Sequence, residues 1–289
     1  MLRTKVFAIG QKYYVIMSIK NSVCIITGAS SGIGRSLAFE MARRGAKLSL
    51  GARSADKLNE LKNALQTQYQ TEVLVVPTDV SDETQCENLI NKTLEAFERI
   101  DILINNAGIS MRALFVDVQL KVLKQLMDVN FWGTVYCTKY ALPSIIKTRG
   151  SIVGVTSIAG FHGLPARSGY SASKFAIHGF LETIRIENLK NGVHVLIAAP
   201  GFTSSNVRKS ALTADGTPQG ESPRNEARMM TSEQVARKIA NGIRFRRRNI
   251  ILSLKGKISV LFQRVLPIML DRLFYNAMAK EPDSPIKNK

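Results

Sequence analysis

Apolar residues recur along the chain in short runs, separated by longer segments in which apolar positions follow the helical period. Seven runs are typical of buried strands, and they cover residues 23–27, 47–50, 72–76, 102–105, 151–155, 194–198 and 250–252. Strands that alternate with helices favour a parallel sheet with right-handed crossovers. The predicted fold class is therefore α/β, a doubly wound, seven-stranded parallel sheet with helices on both faces. Ligands of such sheets bind at the carboxyl ends of the strands.

A glycine-rich turn follows the first run, with the sequence Thr27-Gly28-Ala29-Ser30-Ser31-Gly32-Ile33-Gly34, and a helical pattern begins inside it. Free backbone N–H groups at a helix N-terminus, together with the helix dipole, attract a phosphate group. A plain structural turn would have the same composition, so the turn alone is a weak signal. A second turn, Asn105-Asn106-Ala107-Gly108, is polar and follows another apolar run. The two turns together favour a dinucleotide site.

Tyr170 and Lys174 are four residues apart in a segment with helical periodicity, and Ser157 lies thirteen residues before Tyr170. A spacing of four places the phenol and the ammonium on one face of a helix. Lowering a phenol pKa from ~10 to ~7 requires about 4 kcal/mol. A unit charge roughly 5 Å away supplies about 3 kcal/mol at an effective dielectric constant of 20. We therefore expect Lys174 to make Tyr170 acidic enough for proton transfer near neutral pH.

These motifs, together with Asp79-Val80, Asn130 and Pro200-Gly201, resemble the short-chain dehydrogenase/reductase family over residues 22–252. Within the family, segments 106–110 and 212–216 are most similar to membrane-associated members proposed to reduce lipid-type ketones. The resemblance implies a Rossmann fold and an oxidoreductase that interconverts a ketone and a secondary alcohol. It implies that Tyr170 is the acid/base, that Lys174 also holds the nicotinamide ribose, and that Ser157 bonds to the substrate oxygen.

The resemblance also assigns roles to residues whose own patterns leave alternatives open. Asn130 would hold a water that links Lys174 to solvent, although a lone asparagine equally often bonds to helix backbone. Thr203, after Pro200-Gly201, would contact the nicotinamide amide. Asp79 and Val80 would face the adenine, and the alternative for Asp79 is an acid near a helix N-cap. The implied cofactor contacts are Gly28, Ser30, Ser31, Gly32, Ile33, Gly34, Asn106, Ala107, Gly108, Pro200 and Gly201.

The end of the second apolar run decides between NAD and NADP. An acid about twenty residues after the glycine turn would hold the ribose 2′-hydroxyl of NAD. Here Arg53 and Ser54 occupy that region, and the first acid is Asp56. A guanidinium fork suits a 2′-phosphate, so the sequence favours NADP(H) over NAD(H). A solvated surface arginine is the alternative.

The chain divides into an N-terminal extension (1–21), a catalytic domain (22–252) with a polar loop at 202–230, and a C-terminal tail (253–289). The extension is either a loose tail or a segment before a natural start at Met17. The loop is either a substrate lid, with Phe202, Val207 and Leu212 as contacts, or a disordered excursion. Three separated cysteines and the lack of a metal motif favour a reducing, cytoplasmic location with no metal.

Positive charge is concentrated near the C-terminus. The net charge is +18, and residues 237–280 carry eleven basic residues against Asp271 alone. The tail is also rich in apolar residues, and Pro267 should bend or divide its helix. Two interpretations compete, a subunit contact in a dimer or tetramer and a peripheral membrane contact, with the second slightly favoured. Nucleic acid binding is not expected because the tail lacks a recognised motif.

The leading functional prediction is an NADP(H)-dependent carbonyl reductase, or alcohol dehydrogenase, that acts on an apolar or lipid-like substrate. The alternative is a nucleotide-sensing or scaffold protein at a membrane surface with vestigial catalysis. The complete set of Ser157, Tyr170 and Lys174 argues against that alternative, since a sensor needs no acidic phenol.

Overall fold

The computed structural model describes residues 4–9, 12–204, 207–221 and 229–286, with side chains from residue 16 onward except at residue 264. The strands are β1 Thr4–Ile9, β2 Lys12–Met17, β3 Val23–Thr27, β4 Lys47–Ala52, β5 Val73–Pro77, β6 Ile102–Asn105, β7 Ser151–Val155, β8 His194–Ala199 and β9 Asn249–Ile251. The helices are α1 Gly32–Arg43, α2 Ala55–Tyr69, α3 Glu83–Phe97, α4 Leu120–Leu126, α5 Gly133–Thr148, α6 Ser168–Glu187, α7 Ser232–Arg244, α8 Leu254–Val265 and α9 Pro267–Ala279. A π-helical segment spans Met127–Trp132, and a 3₁₀ turn spans Ile158–Gly160.

The main sheet has seven parallel strands in the order β5-β4-β3-β6-β7-β8-β9. The predicted doubly wound fold is confirmed. The strand order reverses between β3 and β6, and in such sheets the crevice at this point binds the ligand. Both polar turns singled out in the sequence begin here, one after β3 and the other after β6.

Helices cover both faces of the sheet, which explains why the central strands are apolar throughout. On one face Leu37 of α1, Ile239 of α7 and Leu48 of β4 belong to one buried apolar cluster. On the other, Leu181 of α6 packs in a cluster with Ile25 of β3 and Leu103 of β6. All of these side chains are buried, so the strands that carry the polar turns are held rigidly from both sides.

The N-terminal extension differs from the expected loose tail. Strands β1 and β2 pair in an antiparallel hairpin whose register joins Thr4 to Met17. At the end of β2 and just after it, the side chains of Met17 and Ile19 are buried in the core. The apolar residues 6–9 of the extension therefore belong to a hairpin strand, which needs only a few residues.

Pro267 divides the C-terminal helical region as predicted, because α8 ends at Val265 and α9 begins at Pro267. The basic cluster at residues 244–248 is only partly a solvated patch. Arg246 donates to the carbonyl oxygens of Gly192 and Arg149, so it joins the end of α7 to the turns that precede β7 and β8. Within the described parts of the chain, no helix has the length and apolar character needed to cross a membrane.

Candidate active site

The glycine turn after β3 requires glycine because two chain segments touch there. Gly28 and Gly32 have φ values of +64° and +52°, in the left-handed region. A Cβ atom added to Gly28 would lie 2.8 Å from the Cα atom of Ala107. One added to Gly34 would lie 2.1 Å from the Gly28 carbonyl oxygen. The turn after β3 and the turn after β6 are therefore in backbone contact.

Two polar side chains hold these turns together. Asn106 Nδ2 donates to the carbonyl oxygen of Thr27 at 2.9 Å and lies 3.3 Å from that of Gly28. In return, the Thr27 hydroxyl oxygen accepts from the backbone N–H groups of Asn106 and Ala107 at 3.0 and 3.1 Å. Asn106 thus shapes the glycine turn with its side chain, a supporting role that the motif alone did not specify.

The start of α1 fits a dinucleotide phosphate. Ser31 is the N-cap residue, and its side chain makes no capping hydrogen bond. The first N–H groups of α1 are therefore left for an anion, at the positive end of a twelve-residue helix. Gly28, Ser30, Ser31, Gly32, Ile33 and Gly34 all lie in this turn or in the first residues of the helix, at the carboxyl edge of the sheet.

Arg53 and Ser54 stand directly after β4, the strand next to β3. The Arg53 side chain is exposed, and within the described residues it has no hydrogen bond or ion pair. Ser54 is the N-cap of α2, and its side chain makes no capping bond. Two unengaged donors at this edge are compatible with a phosphate, as the sequence predicts.

Asp79 and Val80 follow β5 but use their groups locally. The Asp79 carboxylate accepts from the backbone N–H and the hydroxyl of Ser81 at 3.0 and 2.7 Å. This turn leads into α3, whose N-cap is Asp82. The alternative interpretation of Asp79, an acid near a helix N-cap, therefore matches its contacts. Val80 is buried, and a Cβ on Gly133 would lie 2.8 Å from its Cβ.

Ser157, Tyr170 and Lys174 come together as the spacing predicts. Ser157 begins the 3₁₀ turn after β7 and hydrogen-bonds to the Tyr170 phenol. Tyr170 and Lys174 lie one turn apart on α6, with the Lys174 Nζ atom 5.7 Å from the Tyr170 ring centre. The same Nζ atom donates to the Val155 carbonyl oxygen at 3.2 Å. A Cβ on Gly108 would lie 3.3 Å from it, so the ammonium also reaches the turn after β6.

The expected acidic phenol is not what the surroundings produce. Burial raises the pKa of Tyr170 above its ordinary value, although the Ser157 hydrogen bond and the Arg167 charge both act to lower it. The ring as a whole is only partly buried, so the loss of hydration concerns the phenol oxygen. Burial also lowers the pKa of Lys174 to about 8. The sequence argument counted the lysine charge but not the cost of removing both groups from water.

His178 neighbours this site, one helical turn after Lys174 on α6. Burial lowers its pKa to about 4, and the charges of Lys174 and Arg185 act in the same direction. Its Nε2 atom lies 3.0 Å from the Thr156 hydroxyl, and its ring makes an edge contact with Phe161. A neutral imidazole in this position packs against the helix that carries Tyr170.

Asn130 lies in the π-helical segment and is fully buried. Its Oδ1 accepts from the N–H of Ile109 at 2.8 Å, and its Nδ2 donates to the Ile109 carbonyl oxygen at 3.0 Å. Nδ2 also donates to the Ser173 hydroxyl at 2.9 Å. The side chain therefore binds backbone of a different segment and ties the turn after β6 to α6. Its role in holding a water stays a prediction.

Pro200, Gly201 and Thr203 follow β8 at the same edge. The Pro200 carbonyl accepts from the N–H of Ile158, next to Ser157. Thr203 is buried, and its hydroxyl donates to the Gly201 carbonyl oxygen at 3.2 Å. Its predicted contact with a nicotinamide amide is not tested by these bonds.

The predicted lid loop is ordered where it is described. Leu212 is buried and pairs with the segment after β6, through bonds from Leu212 N to Ser110 O and from Arg112 N to Leu212 O. It packs in a small cluster with Met111 and Val122, against which Tyr170 also packs. The described part of the loop therefore packs on the segment after β6. Residues 205, 206 and 222–228 of the loop lie outside the described residues. Phe202 is partly exposed at 39%.

The structure adds polar residues that the motifs did not indicate, at contacts between the C-terminal region and the segments around residues 112 and 162–167. His162 Nε2 lies 3.6 Å from Asp271 of α9, and its ring stacks on Phe274. Glu281 lies within ion-pairing distance of Arg112 and Arg167. Between α9 and the segment after β7 lies a groove of about 580 Å³, lined by His162, Gly163, Pro165, Asp271, Arg272, Phe274, Tyr275 and Asn276.

Residues 22–216 match the family model described as short chain dehydrogenase, which covers more than half of the chain. The chain belongs to the short-chain dehydrogenase/reductase family. This is an oxidoreductase family whose members use NAD(H) or NADP(H), so the predicted family and enzyme class are confirmed.

Among curated relatives, the chain is 39% identical over 197 residues to 11-beta-hydroxysteroid dehydrogenase-like 2 of Arabidopsis thaliana, covering 68% of this chain and 64% of that protein. It thus spans slightly less than two thirds of that relative's length. It is 33% identical over 273 residues to dehydrogenase/reductase SDR family member 7B of Bos taurus, covering 92% of this chain and 84% of that protein.

Two solved structures of the family superpose on the chain. An alcohol dehydrogenase from the archaeon Thermococcus sibiricus, complexed with 5-hydroxy-NADP, has a TM-score of 0.70 and 25% identity, covering 80% of this chain and 96% of its own. A short-chain dehydrogenase/reductase from Burkholderia phymatum in complex with NAD has a TM-score of 0.77 and 24% identity, covering 89% of this chain and 97% of its own. The second likeness concerns the fold alone.

Proposed function

We propose that the protein is an NADPH-dependent reductase that converts an apolar, lipid-like ketone to a secondary alcohol. The observation that carries this proposal is the meeting of Ser157, Tyr170 and Lys174 beside the glycine turn, at the crevice where the strand order reverses. The glycine cradle and the uncapped start of α1 fit a dinucleotide.

The bound nicotinamide would supply a hydride to the carbonyl carbon. The residues of the chain supply the proton and hold the oxygen. Tyr170 gives its phenol proton to the carbonyl oxygen, while the Ser157 hydroxyl hydrogen-bonds to that oxygen and stabilises the charge that develops there. Because burial keeps the Tyr170 pKa high, the phenol is protonated at neutral pH. That state is the one from which the phenol can donate its proton to a ketone.

Lys174 has a second task once the proton has moved. The phenolate left behind gains from a nearby positive charge, and a lysine with a pKa of about 8 is mostly protonated at pH 7. Lys174 lies on the same face of α6 and can also return a proton to the phenolate.

NADP(H) is the proposed cofactor because Arg53 and Ser54 are unengaged donors after β4. The likeness to the Thermococcus sibiricus enzyme complexed with 5-hydroxy-NADP supports this choice, while the Burkholderia phymatum complex with NAD shows that the fold accommodates either dinucleotide. We assign the 2′-phosphate to Arg53 and Ser54, the adenine to Asp79 and Val80, and the nicotinamide to the Pro200–Thr203 segment.

An apolar ketone is proposed because the groove beside α9 presents Phe274, Tyr275 and Pro165. The relatives named after hydroxysteroids support a substrate of this kind.

Peripheral membrane contact is proposed for the outer face of α8 and α9. This face exposes large apolar side chains, namely Leu254, Ile258, Leu261, Val265, Leu266, Ile268, Met269 and Leu273. The exposed bases Lys255, Lys257 and Arg272 flank them and would face anionic head groups. Assembly into a dimer or tetramer and a cytoplasmic location stay predictions.

The reaction is tested with purified protein, NADPH and a panel of ketones that includes an 11-keto steroid and cyclohexanone. We expect NADPH fluorescence to change on binding and NADPH to be consumed with the steroid. Tyr170→Phe should lower kcat by about 1000-fold while the Kd for NADPH changes less than about threefold. Tight NADPH binding with no turnover of any ketone would instead favour a nucleotide sensor, and full activity of Tyr170→Phe would refute the assigned proton donor.

Membrane contact is tested by sedimentation of the full chain with phosphatidylserine-containing vesicles. The variant Leu261→Asp/Ile268→Asp should lose most of the bound fraction. The matched control Ile186→Asp/Leu189→Asp changes two equally exposed apolar residues at the end of α6 and should bind as the wild type does. Equal binding of both variants would contradict the assigned surface.

A further inference from the structure

The C-terminal end of the chain returns to the catalytic cleft. Along α9 the inward residues Leu270 and Met278 are buried, and beyond the helix Glu281, Ser284 and Ile286 are buried as well. The outer face of the same helix is exposed. One side of the tail is thus available to a membrane or a subunit, while the other side packs on its own domain.

Glu281 is the charged residue at this contact. Its Oε2 atom lies 3.5 Å from Arg112 Nε and 3.7 Å from Arg167 Nη2, and all three side chains are at most 9% exposed. Arg112 also donates through Nη2 to the carbonyl oxygen of Pro282 at 2.5 Å. Neutralising a buried carboxylate that lies between two guanidinium groups removes a negative charge that stabilises both of them in a dry environment. The three side chains therefore hold one another in place.

The two arginines belong to the two segments that flank Tyr170. Arg167 is the residue before α6 and lies three positions ahead of Tyr170. Arg112 ends the segment that runs from β6 past Gly108, and its neighbour Ala113 donates to the Ala166 carbonyl oxygen at 3.1 Å. A single carboxylate from the tail thus joins both walls of the cleft.

A second contact joins α9 to the same wall about ten residues earlier. His162 approaches Asp271 and stacks on Phe274, with ring centres 4.6 Å apart. The groove with Phe274 and Tyr275 runs along residues 271–276 in the middle of α9, and Glu281 lies two residues after the helix ends. Two attachment points on one rigid helix fix its distance from the segment after β7.

We propose that Glu281 is a positioning residue: by bridging Arg112 and Arg167 it holds α9 against the cleft and sets the width of the groove that receives the apolar body of the ketone. This inference rests on the proposed function for its kinetic part. It assigns to the C-terminal tail a share of substrate selection that the family motifs do not contain.

The test compares Glu281→Gln with Glu40→Gln. Glu40 is a matched control because it is also a buried carboxylate between two arginines, Arg43 and Arg44, but lies on the far side of the glycine turn on α1. For Glu281→Gln we expect KM for the 11-keto steroid to rise about tenfold, with kcat and KM for cyclohexanone within about twofold of wild type. Glu40→Gln should leave both KM values unchanged, and Glu281→Asp should restore most of the steroid KM.

Hydrogen exchange gives a readout that does not depend on turnover. In Glu281→Gln the amides of residues 111–113 and 276–281 should exchange faster than in wild type, whereas in Glu40→Gln they should not. If no ketone is reduced, the proposed function fails, and this exchange pattern still decides whether Glu281 holds the tail. Should Glu281→Gln not fold, Arg112→Gln breaks one of the two pairs and should show the same changes to a smaller degree.

Two outcomes would overturn the inference. One is an unchanged steroid KM together with unchanged exchange in the folded Glu281 or Arg112 variant. The other is a parallel rise of KM for the steroid and for cyclohexanone, because a general loosening of the cleft would not depend on the size of the ketone.

Discussion

The two sides of Tyr170 are held together by different kinds of contact. On the cofactor side, the turns after β3 and β6 meet backbone to backbone, with Gly28 against Ala107 and Asn106 bonded to the Thr27 carbonyl. On the tail side, the contacts are between side chains that carry charge, such as Glu281 with Arg112. Close backbone packing tolerates almost no change of side chain, whereas ion pairs depend on burial and on both partners.

The difference explains why one side was readable from the sequence. A backbone contact that requires glycine leaves several glycines at fixed spacing within a few residues. An ion pair between distant segments leaves no such trace, since Arg112 and Glu281, for example, are 169 positions apart. The following predictions test how firmly each side is built.

The largest effect is expected from Gly34→Ala on the cofactor side. The added methyl group would lie 2.1 Å from the Gly28 carbonyl oxygen, which belongs to backbone and cannot move aside cheaply. We expect a loss of about 3 kcal/mol or more in the free energy of unfolding, as in severe overpacking. The affinity for NADPH should fall about 100-fold, because the turn would be displaced by an ångström or more. Chemical denaturation and fluorescence titration measure the two effects.

Gly179→Ala is the matched control for that substitution. Gly179 is also helical, but a Cβ there would meet no other atom within 4 Å. Alanine should raise the free energy of unfolding by about 0.5–1 kcal/mol through its helix propensity and leave NADPH binding unchanged. If Gly34→Ala behaved like Gly179→Ala, backbone contact would not be what restricts the cofactor side.

A smaller effect is expected from Arg53→Gln, because Arg53 is proposed to bind the cofactor through its charge and not through backbone packing. Losing a charged hydrogen bond of about 1.5–3 kcal/mol should raise the Kd for NADPH by roughly 10- to 100-fold. The Kd for NADH, which lacks the 2′-phosphate, should stay within about twofold. Lys57→Gln removes an exposed charge one turn into α2 and serves as the control. Equal losses for NADPH and NADH would show that Arg53 does not distinguish the two cofactors.

The fold and the meeting of the turns after β3 and β6 could be predicted because their signals are local. The apolar runs gave the strands to within one or two residues, and the spacing of Tyr170 and Lys174 gave their shared face on α6. What could not be predicted depends on burial. The predicted direction of the Tyr170 pKa shift was wrong, because the sequence shows which charged residues are near but not that burial removes water from the phenol. The side chain of Asn130 and the partners of Glu281 depend on segments that meet only in the folded chain.

The smallest effect is expected from a fall in pH, which should destabilise the part of the sheet that contains β8 and β9. His194 of β8 bonds to the Ser151 hydroxyl at 2.8 Å and to the Arg247 carbonyl at 2.8 Å. Since a carbonyl only accepts, Nε2 carries the hydrogen and Nδ1 accepts from Ser151, which requires a neutral ring. Burial lowers the pKa of His194 to about 4. His194 thus joins β8 to the chain that leads into β9.

The sign of the pH effect follows from that pKa. The unfolded histidine takes up a proton below about pH 6.5, whereas the folded one resists until about pH 4. The stability is therefore complete above pH 6.5 and is lost as the pH falls toward 4. Allowing for relaxation of the buried site, we expect about 1 kcal/mol less stability at pH 5 than at pH 7 from His194, and a similar amount from His178.

His194→Gln separates this contribution from the rest of the protein. The glutamine amide can donate to the Arg247 carbonyl and accept from Ser151 but does not titrate, so the variant should lose only about half as much stability between pH 7 and pH 5. Hydrogen exchange at pH 5 should also show β8 and β9 opening before β3 and β4 in the wild type, but less so in the variant. An unchanged pH dependence in His194→Gln would mean that buried histidine does not hold this half of the sheet. The part of the sheet with β8 and β9 would then respond to acid in the same way as the part with β3 and β4.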